Sequence, residues 1–527
     1  MTVRGETGRR SYGAIALRVL AFLVVAMLAA TVIVAQQRGS GAYLAEFSVA
    51  DPAEARHFVT ALMLRDYAAA GLPAPSAFQA EYALHFPVVA PLGALSLHHF
   101  VAAGWLALLG ASTPAALLLP ALLAALLVVS AGWATTRSIG PLPGIAVGFV
   151  LSALVLLREA FIVVGLDLPL ALLALLAALA FARWLRRGGG GDAGLFALAA
   201  VAAALIAPKG AALVLLPPLG VLLAGRLGRL GRAGFWLPLL VLAAIAAGMA
   251  LPGVAMAPSS PDRLAARAMT VQAVFGTLPL ALAGIGALFS IWAGWRREDG
   301  AEIMAAAAAL VLALLVGLGL DADGGRPGAM LPLLAPLTML SAFGALRLLG
   351  LLVSGWTIVS GLVVAFILLL AAMPALLEPA RKASIGMDDA AQAFLAREAG
   401  GPVLVVAAGP NGEAALMAAV AQRDPARRSF VVPAARLPAG DAGALRAALD
   451  GIGASALVVE TTPAARANAA NRVAEALVAA SPDRFRRLGT FPRADGTGQV
   501  ELYAVTGGPA APADPAGVLR RLRAPAS

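Results

Sequence analysis

The chain has no cysteine among its 527 residues. That excludes disulfides, thiol nucleophiles and cysteine-ligated metals, and it leaves the redox compartment open. Charge is scarce as well: 13% of the residues are Asp, Glu, Lys or Arg, against about 25% in an ordinary soluble domain. Lysine is nearly missing. Of 39 basic residues only Lys209 and Lys382 are lysines, and the chain has four histidines. The turn Gly409-Pro410-Asn411-Gly412 lacks the G-x-G-x-x-G spacing of a dinucleotide loop, and no H-E-x-x-H pair is present to hold a metal. Net charge is +10, but the arginines are dispersed among short loops instead of forming one patch. Nucleic acid is therefore not an expected partner.

What fills the chain is apolar surface, at 60% of residues. It comes in blocks of about 17 to 25 residues, the length that crosses a hydrocarbon core as a helix. Helices satisfy their backbone polar groups internally, as lipid demands. Hydropathy places eleven spans, near 14–35, 113–135, 140–157, 168–184, 194–207, 210–225, 234–250, 272–294, 302–319, 329–347 and 354–375. The first is too long for the core of a signal peptide and reads as an uncleaved helix.

Arginine orients these spans, because Lys and Arg are retained on the cytoplasmic side of short loops. Counting alternately from Arg4, Arg9 and Arg10, the cytoplasmic loops hold Arg137; Arg183, Arg186 and Arg187; Arg226, Arg229 and Arg232; Arg296 and Arg297; and Arg347. The pattern requires Lys209 to sit in an outside turn between two short spans. The N-terminus is then cytoplasmic and the C-terminus extracytoplasmic. The long first outside loop, 36–112, carries all four histidines, His57, His85, His98 and His99, besides Asp51 and Glu54. Within it 53–70 reads as a helix behind Asp51-Pro52, and 94–110 as an interfacial apolar helix.

Residues 379–527 differ in character from 1–378. Strands are expected at 403–406, 428–433, 456–460, 485–491 and 500–505, with helices near 413–422, 442–452 and 464–480. The alternation predicts a small extracytoplasmic α/β domain with a mainly parallel sheet. A Pro- and Ala-rich tail after Gly507 reads as disordered. The fold class is thus a polytopic α-helical membrane protein with a C-terminal soluble α/β domain.

Five further features carry chemistry. Asp51 and Glu54 stand three residues apart; the first suits a helix cap and the second a first-turn dipole partner, and acidic residues next to a membrane helix are costly unless they are solvated or functional. Lys209, in Ala207-Pro208-Lys209-Gly210, suits either a snorkelling anchor or a phosphate contact. Arg326, in Gly325-Arg326-Pro327, and Asp167, at the mouth of the fourth span, have the same two readings of anchor or cap against substrate contact. The histidines and nearby carboxylates leave a divalent metal ion as the one cofactor open to the chain, and no ligand spacing supports it.

The order of these features resembles that of the GT-C superfamily of membrane glycosyltransferases, which includes protein O-mannosyltransferases and the aminoarabinose transferases of lipid A. The likeness runs in pieces over residues 10–350. After one span comes an acidic motif in a long outside loop, Asp51-Pro52-Ala53-Glu54-Ala55-Arg56-His57-Phe58. An H-Y-P-like element follows, His85-Phe86-Pro87, then a helix ending Trp105-Leu106-Ala107-Leu108-Leu109-Gly110. Asp167 precedes a span, Pro208-Lys209-Gly210 corresponds to a T-K-G element, and Arg326 with Pro332 and Pro336 to an R-x-x-x-x-P-x-x-x-P element. Aligned through His57-Phe58, Ala53 stands where the family carries an Asp, with Glu54 in place and Asp51 two positions upstream.

The resemblance implies transfer of a sugar from a polyprenyl-phosphate-linked donor to a lipid, glycan or protein acceptor on the outer face of a cell membrane. It implies Asp51 or Glu54 as the base, and His57, His85, Asp167, Lys209 and Arg326 as substrate contacts. Two other readings remain: a degenerate scaffold that keeps the fold and binds lipid or a partner, and a transporter. The latter is disfavoured by charges clustered at one face and by the lack of paired halves.

Overall fold

The computed structural model describes residues 6–49, 51, 53–250, 261–296, 327–352, 361–368, 380–397, 400–436 and 441–507, with isolated positions besides. The chain divides into two compact units. One holds residues 1–36, 120–161 and 166–380; the other holds 37–119, 162–165 and 381–527.

The first unit is helical. Among the described residues five helices are long and apolar enough to cross a membrane: Leu20–Gly39, Thr113–Ile139, Asp167–Arg187, Thr277–Trp295 and Leu331–Leu351. The pair Pro141–Ala153 and Val155–Phe161, bent by 63°, is a broken span or a re-entrant loop and brings the number to six if it is one span. The protein is therefore a polytopic membrane protein, and the described residues do not confirm the expected count of eleven. Most of the spans expected at 302–319 and 354–375 lies outside the described residues. The pair expected around Lys209 is short: helix Gly190–Ile206, then a 3-10 segment Pro208–Leu215 and helix Leu216–Leu223. The span expected at 272–294 begins at Thr277, because Gly276 at φ +75° breaks it from the helix Pro261–Phe275.

Lipid offers no hydrophobic drive for helix pairing, so close packing at small residues does the work. A Cβ on Gly286 would lie 2.1 Å from the Leu340 carbonyl oxygen, and one on Gly344 would lie 2.0 Å from that of Leu282. Gly144 meets Gly132 in the same way, at 2.6 Å. Arginines gather at one end of the helix Asp167–Arg187. Arg226 donates to the Leu185 carbonyl and Arg229 to that of Arg186, while Arg183 pairs with Asp192 at 3.1 Å. Cations there complement the negative helix C-terminus, and Gly188 closes it in the left-handed conformation.

The second unit is built on a five-stranded sheet: β1 (Gly401–Val406), β2 (Ser429–Pro433), β3 (Ala456–Thr461), β4 (Phe485–Pro492) and β5 (Gln499–Val505). Spatial order is β2-β1-β3-β5-β4. The first three are parallel, joined by helices Pro410–Arg423 and Ala442–Ile452. β5 runs antiparallel to both β3 and β4. The six residues between β4 and β5 leave no room for a crossover helix, so that pair closes as a hairpin. Each expected strand is present within a few residues, and the expected helix 464–480 breaks at Asn468.

The first loop packs into this unit. Its helix Pro75–His85 contributes Leu84 to the core formed by Leu404, Val432, Leu457 and Leu477. The helix Leu97–Leu109 buries His98, His99, Ala102 and Leu106 and exposes Phe100, Val101, Leu108 and Leu109. An apolar outer face on a helix of 13 residues suits the membrane interface.

Candidate functional site

The candidate site begins with the segment 46–54, which is held at both ends by buried carboxylates. Glu46 is 5% exposed and accepts the backbone N–H groups of Ile385 (2.8 Å) and Asp388 (3.1 Å) and the Ser384 hydroxyl (3.1 Å). It thereby satisfies the first turn of the helix Met387–Leu395. At the other end, Glu54 accepts the Lys382 ammonium at 2.7 Å, the Ser48 N–H at 2.9 Å and the Val164 N–H at 3.1 Å. Both side chains of the Glu54–Lys382 pair are 0% exposed. Burial holds the Glu54 carboxyl above its ordinary value, against the smaller opposing pull of Lys382 and the two backbone donors. Every partner is a donor, so the ionised carboxylate is the form this niche is built to hold. Lys382 also donates to the Ile162 carbonyl and lies 5.5 Å from the Phe47 ring centroid; that ring stacks on Phe58 at 4.0 Å.

Between these anchors Ser48 sits at φ +79°, a conformation that costs a non-glycine residue free energy. Its N–H donates to Glu54 and its hydroxyl accepts from the Ala55 N–H. Asp51 follows, half-buried, with Oδ1 accepting the Ala53 N–H at 2.8 Å and its carbonyl accepting the Glu54 N–H at 3.0 Å. The helix starts at Glu54, so Asp51 closes the turn before it, and Glu54 is the first helical residue. Pro52 lies outside the described residues.

The histidines form their own arrangement. His57 Nδ1 and His99 Nε2 are 2.9 Å apart. The Ser96 N–H donates to His99 Nδ1 at 3.0 Å, which leaves Nε2–H of neutral His99 to donate to His57. Burial pushes His99 and His98 each down to about 4. His85 is spent elsewhere: Nδ1–H donates to the Ser429 carbonyl at 2.9 Å, and the ring stacks on Phe430 at 4.1 Å, joining the first loop to β2.

In the helical unit Lys209 and Asp167 form an ion pair at 2.5 Å, with 21% and 31% of their side chains exposed. The helix Gly190–Ile206 stops at Ala207, and the chain folds back so closely that a Cβ on Gly210 would lie 2.2 Å from the Ala203 carbonyl oxygen. Only glycine allows that approach, which places Lys209 on the turn. A Cβ on Gly328 would meet Asp167 Oδ2 at 2.6 Å, so the 3-10 turn Pro327–Met330 abuts the pair. Arg326, two positions earlier, lies outside the described residues.

Of the seven residues singled out from sequence, the structure joins Asp167 to Lys209 and places Asp51 in the turn that Glu54 completes. Sequence reasoning missed Glu46, Ser48, Lys382 and the link from His57 to His99. Lys382 left one signal, as one of two lysines in an arginine-using chain. Among the described residues no three His, Asp or Glu side chains gather as a metal site.

Neither a family model nor a curated protein matches the sequence. Solved structures do. The apo crystal structure of ArnT from Cupriavidus metallidurans aligns over 93% of this chain and 98% of its own, with 16% identity and a TM-score of 0.54. The same protein bound to undecaprenyl phosphate covers 92% and 97%, at 16% identity and a TM-score of 0.52. The archaeal oligosaccharyltransferase AglB from Archaeoglobus fulgidus, in complex with an inhibitory peptide and a dolichol-phosphate, covers 88% and 72%, at 11% identity and 0.51. The chain therefore shares the fold of these solved structures.

Proposed function

We propose that this protein is a membrane glycosyltransferase that moves a sugar from a polyprenyl-phosphate-linked donor to an extracytoplasmic acceptor. The observation that carries the reading is the pinned segment 46–54, which presents Asp51 from a strained turn on the GT-C fold. A catalytic carboxylate gains from such preorganisation, because its geometry is set before substrate arrives.

In this reading Asp51 takes the proton from an acceptor hydroxyl as that oxygen attacks the anomeric carbon. The new C–O bond forms as the bond from the anomeric carbon to the phosphate oxygen breaks, and the polyprenyl phosphate leaves with the electron pair. Lys209 and Arg326 neutralise the phosphate charge that develops. Asp167 holds the Lys209 ammonium. Glu54, the other base offered by the sequence, acts as an anchor, since its carboxylate is buried against Lys382. His57, held by His99, is a substrate contact; His85, bonded to Ser429, stabilises the unit. The N-terminus is cytoplasmic and 379–527 extracytoplasmic, in keeping with the arginines at one end of the helix Asp167–Arg187.

The test is turnover of purified protein with polyprenyl-phosphate sugars. Wild type transfers sugar and Asp51→Asn does not; equal turnover of the two removes Asp51 as the base. One observation favours a second reading, a scaffold without activity: Glu54 is locked in an ion pair and Ala53 leaves no carboxylate beside it. Wild-type protein that binds polyprenyl phosphate yet transfers nothing from any such donor would establish it.

A further inference from the structure

The sheet of the second unit contains a crevice that the reaction above does not use. β1 leads through the helix Pro410–Arg423 to β2, whereas β3 lies on the other side of β1 and leads away towards β4 and β5. The connections leaving β1 and β3 thus diverge. In open α/β sheets, ligands enter outside the carboxyl ends of the strands where connections diverge in this way. A crevice of about 650 Å³ opens at that point. Its walls include Gly409, Asn411, Glu460, Thr462, Arg493 and Thr497. Val49, two residues along the chain from Asp51, completes the lining beside Ile385.

The polar groups select a class of ligand. Glu460 is 3% exposed; Oε2 accepts the Ala408 N–H at 2.9 Å, and Oε1 accepts Arg493 at 2.9 Å. Arg493 also pairs with Asp495 at 3.0 Å. A phosphate or carboxylate needs a ring of donors, and here two carboxylates already occupy Arg493, the one cation among the described lining residues. Asn411 offers an amide donor and an amide acceptor, while the hydroxyls of Thr462 and Thr497 donate to Glu460 and Asp495 and keep lone pairs as acceptors. One amide donor among several acceptors matches sugar hydroxyls, each of which both donates and accepts, better than it matches an anion, which only accepts. Pro410, Pro463 and Ala464 supply apolar wall for ring carbons.

We infer that this crevice binds an uncharged sugar of the acceptor, holding it beside the segment that carries Asp51. The inference rests on the glycosyl-transfer reading for its purpose, but its test does not require turnover. Ala464 is exposed and lines the crevice, so Ala464→Trp fills it without touching the core; Asn411→Ala removes one amide. The experiment is saturation-transfer NMR on the full-length protein in nanodiscs, with methyl glycosides of hexoses and pentoses as probes and inorganic phosphate as competitor. At least one glycoside gives a signal in wild type and in Asp51→Asn. Ala464→Trp abolishes it, and Asn411→Ala weakens binding by roughly tenfold, the scale of one hydrogen bond. Thermal unfolding of both variants matches wild type. Absence of any glycoside signal overturns the inference, as does a signal unchanged by Ala464→Trp or one displaced by phosphate. If glycosides bind here but wild type transfers no sugar, the crevice stands and the transferase reading fails.

Discussion

Glu54 and Lys382, 328 positions apart in the chain, form a 2.7 Å ion pair from which solvent is excluded on both sides. Removing one partner leaves a charge buried without compensation, a loss of about 3–5 kcal/mol. Lys382→Met and Glu54→Gln should therefore lower thermal stability by similar amounts, and Glu54→Leu with Lys382→Met should recover part of it. A Glu54→Gln protein of native stability without turnover would make Glu54 the base instead.

Asp51 should behave in the opposite way. Asn retains an oxygen that can accept the Ala53 N–H, so Asp51→Asn should unfold at the wild-type temperature. Turnover should fall by about 10²–10⁴-fold, the usual effect of losing a general base. A steady-state assay beside a melting curve separates this outcome from that at Glu54.

Lys209 and Asp167 are partly exposed, so their role should show in donor kinetics. Lys209→Met should raise the KM for a polyprenyl-phosphate sugar by about tenfold or more, the scale of a lost contact between a cation and a phosphate. Asp167→Asn should have a smaller effect in the same direction, because it frees an ammonium that it otherwise orients. If both variants keep the wild-type donor KM, the pair serves only to anchor the turn.

A chain without cysteine makes the topology directly testable. Single cysteines at Arg187 and at Thr497 can be probed with a membrane-impermeant maleimide in intact cells. Thr497→Cys should react from outside and Arg187→Cys only after lysis. The reverse pattern would place the Asp51 segment on the cytoplasmic side and end the proposed reaction.

His98 and His99 predict acid sensitivity. Burial holds both rings neutral, with values down to about 4, below the roughly 6.5 of an unfolded histidine. The folded values being depressed, this contribution is complete above about pH 6.5 and is lost as pH falls towards 4. Each ring accounts for up to about 3 kcal/mol over that window. Protonation of His99 Nδ1 would also break its bond from the Ser96 N–H. The thermal midpoint should fall between pH 6.5 and 4.5, with a shallower fall in His98→Leu.

Apolar blocks, alternating arginine loops and period-two strand runs are local signals. From them the sequence by itself determined a membrane-spanning helical region, the α/β character of 379–527 and all five strands. It also marked Asp51, Asp167 and Lys209 as unusual, because scarce charge in an apolar chain stands out. What only the tertiary structure decided is which charges meet. Glu46 looked like a loop carboxylate until its partners at 384–388 were in place. Glu54 and Asp51 were two neighbouring carboxylates of one motif until Lys382 was found buried against the first. His85 looked like a site residue until β2 took its ring. Burial and ion pairing depend on distances between residues hundreds of positions apart, and a pattern read along the chain holds only near neighbours.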